Sequence, residues 1–116
     1  MTRPLRREDG RLDPARTATD LERQVRAYQP WPGSFVETDD GRLVVWRAEA
    51  AVPDTAPAAP GTFDASGLAV GAGTHLRLHE VQPAGGRRMP WTAYLRGHPA
   101  IVGARVRGVG PGPGAA

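Results

Sequence analysis

The sequence predicts a mainly β fold: a small barrel of five or six strands with one N-terminal helix and one short C-terminal helix. Three observations favour this fold. The chain has 116 residues, which is enough for a single modest core. Only one long segment shows helical periodicity. Short runs of strand-forming residues follow that segment, separated by turn signals.

The predicted N-terminal helix lies in the segment from Thr17 to Pro30. Its apolar residues are spaced i, i+4, i+7, as expected for one buried helix face: Leu21, Val25 and Tyr28. Thr19 is predicted to cap the helix, because Glu22 stands three residues later as the reciprocal acceptor of a capping box. Pro30 ends the helix, since proline cannot continue the backbone hydrogen-bond ladder.

A hairpin is predicted next, with strands at residues 34–38 and 42–48. The turn between them is Asp39-Asp40-Gly41, and an Asp-Gly pair is a strong signal for a tight hairpin turn. Residues 50–61 contain too much alanine and proline for either regular element, so we expect a loop there.

The second half of the chain contains the remaining elements. Residues 62–73 predict two short strands around Ser66-Gly67, and residues 74–82 predict a longer strand. Alternation places Leu76 and Leu78 on one face of that strand, and His75, Arg77 and His79 on a solvated face. Residues 89–97 predict a short helix that ends at Gly97.

This order of elements fits the five-stranded oligonucleotide-binding barrel, or OB fold. We expect residues 1–16 to be a linker or arm and residues 17–107 to form the barrel domain. Residues 108–116 are rich in glycine and proline and are expected to be a disordered tail.

Composition limits the classes of function. All fifteen cationic residues are arginine, and residues 75–116 contain six arginines against one acid, Glu80, whereas residues 1–74 have a net charge of −2. There is no cysteine, so disulfides and thiolate metal sites are excluded. No apolar run approaches the roughly 20 residues of a membrane span. We therefore expect a cytoplasmic monomer without a membrane partner.

No reaction centre is apparent in the sequence. His75 and His79 are spaced like metal ligands on a helix, but in a strand they would lie about 13 Å apart, so no metal site is expected. Asp39 and Asp40 are typical solvated turn formers rather than an acid–base pair. The serines lack the sequence context of a catalytic nucleophile. We predict no catalytic residues in this chain.

A basic loop is the best candidate for a binding site. Arg87 and Arg88 follow the flexible pair Gly85-Gly86, and Arg96 ends the next helix. Trp91 and Tyr94 stand close by, and arginines interleaved with aromatic residues are typical of a groove that follows a phosphate backbone. The alternative is an ordinary solvated loop with surface arginines.

Several motifs carry a resemblance to a known family. They are "LERQVRAYQPWPGSF" (21–35), "LVVWRAEA" (43–50), "APG" (59–61), "LAVGAG" (68–73), "LRLHEVQPAGGRRM" (76–89) and "YLRG" (94–97). In this order and spacing they resemble the C-terminal domain of methionyl-tRNA formyltransferases, over roughly residues 6–106.

The resemblance implies an accessory domain rather than a catalytic one. In the family, a larger N-terminal domain binds 10-formyltetrahydrofolate and carries the catalytic Asn, His and Asp, and the C-terminal domain helps to hold initiator tRNA. No segment of this sequence resembles that catalytic half. The resemblance therefore implies no cofactor in this chain and no activity alone, with initiator tRNA and a separate catalytic formyltransferase domain as partners. It also implies a fragment, a split gene product or a stand-alone copy.

The resemblance also assigns roles to residues. The matching basic positions are Arg26, Arg87 and Arg88, and Arg23 shares the helix with Arg26. Together with Arg96 they are the expected tRNA-binding residues. The turn of Pro30, Trp31, Pro32 and Gly33 is expected to be a structural junction, in which Trp31 fills the space between helix and barrel and orients that helix.

Two classes of function remain open from the sequence. The first is the tRNA-binding module of a methionyl-tRNA formyltransferase. The second is an accessory barrel of another formyltransferase, such as one acting on nucleotide sugars, or a protein-interaction domain that does not bind RNA.

Overall fold

A six-stranded antiparallel sheet forms the body of the protein in a computed structural model, which describes residues 10–29, 33–52 and 59–107. The mainly β prediction is confirmed. The elements in chain order are helix α1 (Ala18–Ala27), strands β1 (Ser34–Thr38), β2 (Gly41–Ala51), β3 (Phe63–Asp64), β4 (Gly67–Ala69), β5 (His75–Pro83) and β6 (Met89–Pro90), helix α2 (Trp91–Gly97), and a 3-10 turn, Pro99–Ile101.

The strands are ordered β1-β2-β5-β4-β3, and β6 pairs with β5 beyond the end of β4. The long strands β2 and β5 form the centre of the sheet, and the predicted hairpin of β1 and β2 is confirmed, with β2 extending to Ala51. The predicted loop therefore begins two residues later than expected. Residues 53–58 of that loop lie outside the described residues.

A segment near the end of the described chain connects the two edges of the sheet. Arg105 forms a bridge with Thr62 beside β3, and Arg107 forms a bridge with Glu37 on β1. The amide of Arg107 donates to the carbonyl of Glu37 at 2.8 Å, and the amide of Val106 donates to the carbonyl of Gly61 at 2.8 Å. We call residues 103–107 the bridging segment. It satisfies backbone groups that would otherwise be unpaired along both edges.

Helix α1 packs its apolar face on the sheet, as its periodicity predicts: Leu21 and Val25 are buried. The cap differs from the prediction. Thr17, not Thr19, is the N-cap, and its hydroxyl accepts from the amide of Asp20 at 3.3 Å. Thr17 is held there because it also bridges to Gly71 in the turn before β5.

Glu22 also has a different role from the predicted capping box. Its carboxylate accepts from the amide of Ala50 on β2 at 3.0 Å. The side chain thus joins helix to sheet instead of closing the first turn of the helix.

The core lies between the sheet, α1 and α2. Leu43 and Val45 of β2 and Leu76 and Val81 of β5 are buried at its centre. Helix α2 contributes Trp91, which stacks on Phe63 at 6.2 Å between ring centroids, and whose indole donates to the carbonyl of Ala65 at 2.9 Å. Burial of these large aromatic surfaces stabilises the position of α2.

The alternation predicted for β5 holds for most of its residues, with one correction. Leu76 and Leu78 are buried, and Arg77 and His79 are exposed. His75 was predicted on the solvated face but is only 5% exposed. Its Nε2 lies 2.9 Å from Oδ2 of Asp64 on β3. A polar partner from another strand allows this histidine to be buried.

The part of the predicted arm that the structure describes packs on the sheet. Leu12 is fully buried, and its amide donates to the carbonyl of Phe35 on β1 at 2.9 Å. Arg11 forms a parallel bridge with the same residue. Residues 1–9 of the predicted arm and the predicted tail, residues 108–116, lie outside the described residues.

Candidate nucleic-acid interface

A β-bulge in β2 shapes the surface on which the candidate residues lie. The pairing between β2 and β5 shifts register on both sides of Arg47, from Val45 opposite Val81 to Ala48 opposite Leu78. One extra residue in each strand, Trp46 in β2 and then His79 in β5, lets neighbouring side chains face the same way, which a regular strand does not allow. Trp46 and Arg47 both line the same groove as a result.

The groove lies between α1 and the strands β2 and β5, and its volume is about 430 Å³. Its apolar walls are Val25, Ala48 and the side chain of Trp46, and its polar walls are formed by Glu22, Arg26, Gln29, Arg47, Glu49 and His79. A mixture of one aromatic wall with a few polar groups is typical of a ligand site. We call it the α1–β2 groove.

Trp46 is held in place by two side-chain amides. Its indole Nε1 donates to Oε1 of Gln82 on β5 at 3.0 Å, and the amide of Gln29 donates to the Trp46 carbonyl. Gln82 also donates through Nε2 to the carbonyl of Gly86 at 3.1 Å. A single glutamine thus connects the tryptophan to the basic loop between β5 and β6.

Arg88 in that loop stacks on the tryptophan. Its guanidinium carbon lies 4.4 Å from the ring centroid of Trp46, and its Nε lies 3.5 Å from a carboxylate oxygen of Glu80. Arg88 and its neighbour Arg87 are both exposed. The cation–π contact orients the Arg88 guanidinium but leaves about half of the side chain open to solvent.

The helix supplies the second group of predicted arginines. Arg26 lines the α1–β2 groove, and its Nη2 lies 3.6 Å from Glu22 Oε2. Arg23 is also exposed, but it lines a separate shallow depression on α1 with Arg16 and Tyr28. The structure therefore places both Arg26 and Arg88 near Trp46, Arg26 in the groove that Trp46 lines and Arg88 over its ring, and it places Arg23 in a separate depression.

The remaining predicted residues lie elsewhere. Arg96 is exposed in the last turn of α2 and is not among the described residues that line the α1–β2 groove. Of the predicted junction, Pro30, Trp31 and Pro32 lie outside the described residues. Gly33 is buried, has a φ of +79°, and donates its amide to the carbonyl of Tyr28 at 2.9 Å. A glycine suits this left-handed turn, which leads the chain from α1 into β1.

Charge in this region is mixed rather than uniformly positive. Within the groove, two arginines face two glutamates, and Oε1 of Glu49 lies 3.1 Å from Nε2 of His79. The excess of positive charge comes from the neighbouring loop, where Arg87 and Arg88 are both exposed and Arg88 is paired with Glu80. An anion is therefore attracted chiefly to the loop side of Trp46.

Three residues of this surface were missed by sequence reasoning: Trp46, Arg47 and Gln82. The first two were missed because the alternation of burial in β2 changes phase at Trp46: Leu43 and Val45 are buried, whereas the next residues packed on the core are the partly buried Ala48 and Ala50. Gln82 carried no signal of its own, since its role depends on contacts made across the sheet.

Neither a metal-binding cluster nor a membrane-spanning helix is found among the described residues. Residues 10–29, 33–52 and 59–107 contain no group of three or more histidine, aspartate or glutamate side chains placed to hold a metal ion. Within the same ranges, none of the helices has the length and apolar character needed to cross a membrane.

Comparison with a family model and comparison with curated proteins agree with each other. The family described as the C-terminal domain of formyl transferases matches residues 4–99 of the chain. The chain is 46% identical over 104 residues to methionyl-tRNA formyltransferase of Gluconacetobacter diazotrophicus, covering 88% of this chain and 33% of that protein. The protein of the same name from Symbiobacterium thermophilum is 42% identical over 100 residues, covering 81% of this chain and 30% of that protein.

The chain therefore spans about a third of the length of the curated relatives that it matches. The matched part includes α1, all six strands, the α1–β2 groove and the basic loop, so the similarity extends over the whole candidate interface.

Proposed function

Because the chain belongs to the formyl transferase C-terminal domain family, we propose that it is the tRNA-binding module of a methionyl-tRNA formyltransferase. Its substrate contact is with the initiator methionyl-tRNA, and its role is to hold that RNA by electrostatic attraction and shape. It acts in the cytoplasm as a monomer, beside a catalytic formyltransferase domain that binds 10-formyltetrahydrofolate. The names of the relatives support the choice of RNA over a nucleotide sugar.

The observation that carries this proposal is the arrangement of Arg88 on Trp46. The indole is fixed by Gln82, the same glutamine holds the loop at Gly86, and the guanidinium carbon lies 4.4 Å from the centre of the ring. An arginine held in this way loses little side-chain entropy when it binds a phosphate with two parallel hydrogen bonds. Arg26, which lines the same groove as the tryptophan, supplies a second point of contact.

The acidic partners of these arginines do not oppose such binding strongly. The Arg88–Glu80 and Arg26–Glu22 pairs are partly exposed, at 3.5 and 3.6 Å. Exposed ion pairs of this kind contribute about 0–1 kcal/mol. A phosphate with a larger charge density therefore replaces either carboxylate at small cost, and it releases counterions from the RNA as it does so.

Catalysis is assigned outside this domain. Two of the carboxylates in the groove already have partners, since Glu22 lies 3.6 Å from Arg26 and Glu49 lies 3.1 Å from His79. We propose that the bond to the methionyl amino group is formed entirely by the catalytic domain. The present chain contributes by raising the local concentration of tRNA near that domain.

The test is a titration of the full chain with initiator tRNA at several salt concentrations. Arg87→Ala with Arg88→Ala is expected to weaken binding and to reduce the slope of log affinity against log salt by about two, since each lost phosphate contact removes roughly one unit. A matched control changes two other exposed arginines, Arg105→Gln with Arg107→Gln, and is expected to leave the slope within about half a unit.

Equal slopes for the two double variants would remove the basic loop from the interface. Failure of the unmodified chain to bind tRNA even at low salt would refute the RNA-binding function and favour the alternative, a protein-interaction domain or the accessory barrel of a formyltransferase that acts on another amine.

A further inference from the structure

The α1–β2 groove has a property that binding of a phosphate backbone does not require: its volume is large enough for a whole small molecule. Its volume of about 430 Å³ falls in the range of about 300–1,000 Å³ typical of small-molecule sites. An arginine cluster that only follows phosphates needs an open surface. The groove therefore points to a more specific ligand.

The aromatic wall of the groove is rigid and accessible. Trp46 lines the groove, whereas Arg88, which stacks on its ring, does not. The bonds to Gln82 and from Gln29 hold the residue in one orientation. Val25 and Ala48 extend the apolar wall. A fixed aromatic surface beside aliphatic groups is suited to a planar heterocyclic base.

The polar walls match the other parts of a ribonucleotide. Arg26 and Arg47 are both exposed and reach the groove from two different elements, a helix and a strand, as a phosphate held from both sides requires. The Glu49 carboxylate and the His79 imidazole lie together on the strand side, 3.1 Å apart. A carboxylate is a common partner of a ribose 2′-hydroxyl, the group that distinguishes RNA from DNA.

We propose that the α1–β2 groove binds one unpaired ribonucleotide of the RNA, with its base against Trp46, its phosphate between Arg26 and Arg47, and its ribose beside Glu49. This inference rests on the proposed RNA-binding function and makes it more specific. A base within a double helix is stacked and paired and cannot enter such a groove, so the domain distinguishes an RNA with a single-stranded position from a continuous duplex.

The experiment follows the indole N–H resonance of Trp46 in the full chain by NMR, with Trp46→Phe to assign it among the three tryptophans. The probes are a single-stranded five-residue oligoadenylate, its deoxy counterpart, a blunt G·C-rich RNA duplex long enough to stay paired, and adenosine monophosphate. The single-stranded RNA is expected to shift the resonance and to bind more tightly than the deoxy strand. The duplex is expected to leave the resonance in place.

Trp46→Leu is expected to weaken binding of the single-stranded RNA about tenfold, since stacking of one base accounts for a factor of that order. Duplex binding should fall less than binding of the single-stranded RNA, because the duplex loses only the ring on which Arg88 stacks. Arg47→Gln changes an exposed residue of the same groove, so the proposal stays testable if Trp46→Leu does not fold. Arg47→Gln is expected to weaken binding of the single-stranded RNA several-fold. Arg105→Gln is the matched control for loss of one charge.

The outcomes separate the two proposals. Equal affinity for strand and duplex, with no effect of Trp46→Leu or Arg47→Gln, would overturn the nucleotide site, while retained tRNA binding would keep the proposed function. Adenosine monophosphate binding as tightly as the oligonucleotide would also overturn it, in favour of a site for a free nucleotide. Loss of binding to every probe and to tRNA would refute both proposals.

Discussion

The contact between buried His75 and partly exposed Asp64 makes the stability of the domain depend on pH. Oδ1 of Asp64 accepts from the amides of Ser66 and Gly67 at 2.8 and 2.9 Å, and Oδ2 lies 2.9 Å from His75 Nε2. Partial burial alone would raise the pKa of Asp64, but the hydrogen bonds of Ser66 and the charge and hydrogen bond of His75 outweigh it. They hold the pKa of this carboxyl below its ordinary value of 3.8.

The size of the effect follows from these contacts. Asp64→Ala removes both amide bonds and the contact with a histidine that is only 5% exposed. Hydrogen bonds to a charged acceptor contribute about 1.5–3 kcal/mol each, but the Asp64 side chain is 46% exposed, so water replaces much of the loss. We expect a decrease of about 2 kcal/mol in the free energy of unfolding. Asp64→Asn keeps one acceptor oxygen and should lose about 1 kcal/mol at neutral pH.

The sign of the pH dependence is set by the lowered pKa. A carboxyl whose folded pKa lies below its unfolded value stabilises the fold above the unfolded pKa, and this contribution is lost as the pH falls through the folded pKa. The difference in the free energy of unfolding between the unmodified protein and Asp64→Asn is therefore expected to have its full value near pH 6. It should shrink below about pH 3.8. Thermal unfolding measures it, since 1 kcal/mol corresponds to about 4 °C in a domain of this size.

Asp39→Asn is the matched control, because Asp39 forms only an exposed pair with Arg107 at 2.8 Å. It should change the free energy of unfolding by less than about 0.5 kcal/mol. If Asp64→Asn and Asp39→Asn gave the same small change at every pH, the contacts of Asp64 would not stabilise the turn between β3 and β4, and the reasoning would be wrong.

Three further predictions concern packing and the interface. Leu12→Ala should lower the free energy of unfolding by about 3 kcal/mol in urea denaturation, because Leu12 is fully buried; a loss below about 1 kcal/mol would show that residues 10–16 do not pack on the sheet. Gly67→Ala should destabilise the fold by more than about 3 kcal/mol, because its Cβ would lie 2.2 Å from the carbonyl oxygen of Leu76, and Gly97→Ala, which meets nothing within 4 Å, is the control. Gln82→Leu should weaken tRNA binding and reduce the salt slope by about one, since the Arg88 platform is lost; an unchanged slope would count against that platform.

The parts of the fold that depend on neighbouring residues could be predicted from the sequence. The hairpin of β1 and β2 needs only the Asp39-Asp40-Gly41 turn, where Gly41 has a φ of +112°, and alternating apolar residues on each side. The apolar spacing of Leu21 and Val25 likewise determines which face of α1 is buried.

Other features depend on residues far away in the chain. The choice of Thr17 over Thr19 as the cap of α1 is set by a hydrogen bond from the amide of Ala18 to Oγ1 of Thr74, 56 positions away. The burial of His75 depends on Asp64, and alternation alone cannot reveal such a partner. Local patterns do not encode these contacts.

The candidate site likewise combines features that the local sequence predicts with features that depend on distant residues. Arg87 and Arg88 were identified because they follow two glycines, and the structure places both on the surface. The contact between Arg88 and Trp46 joins two positions 42 residues apart (88 − 46) and depends on a bulge that shifts the register of β2. Sequence reasoning therefore found the loop but not the groove beside it.

The bridging segment also affects how the domain folds during synthesis. Its contact between Glu37 and Arg107 spans 70 positions (107 − 37), and it is the last part of the described fold to emerge from the ribosome. Until then, the outer strands of a nascent chain present unpaired backbone groups that nearby polypeptides can pair with. The final residues of the fold thus protect the newly made sheet from aggregation.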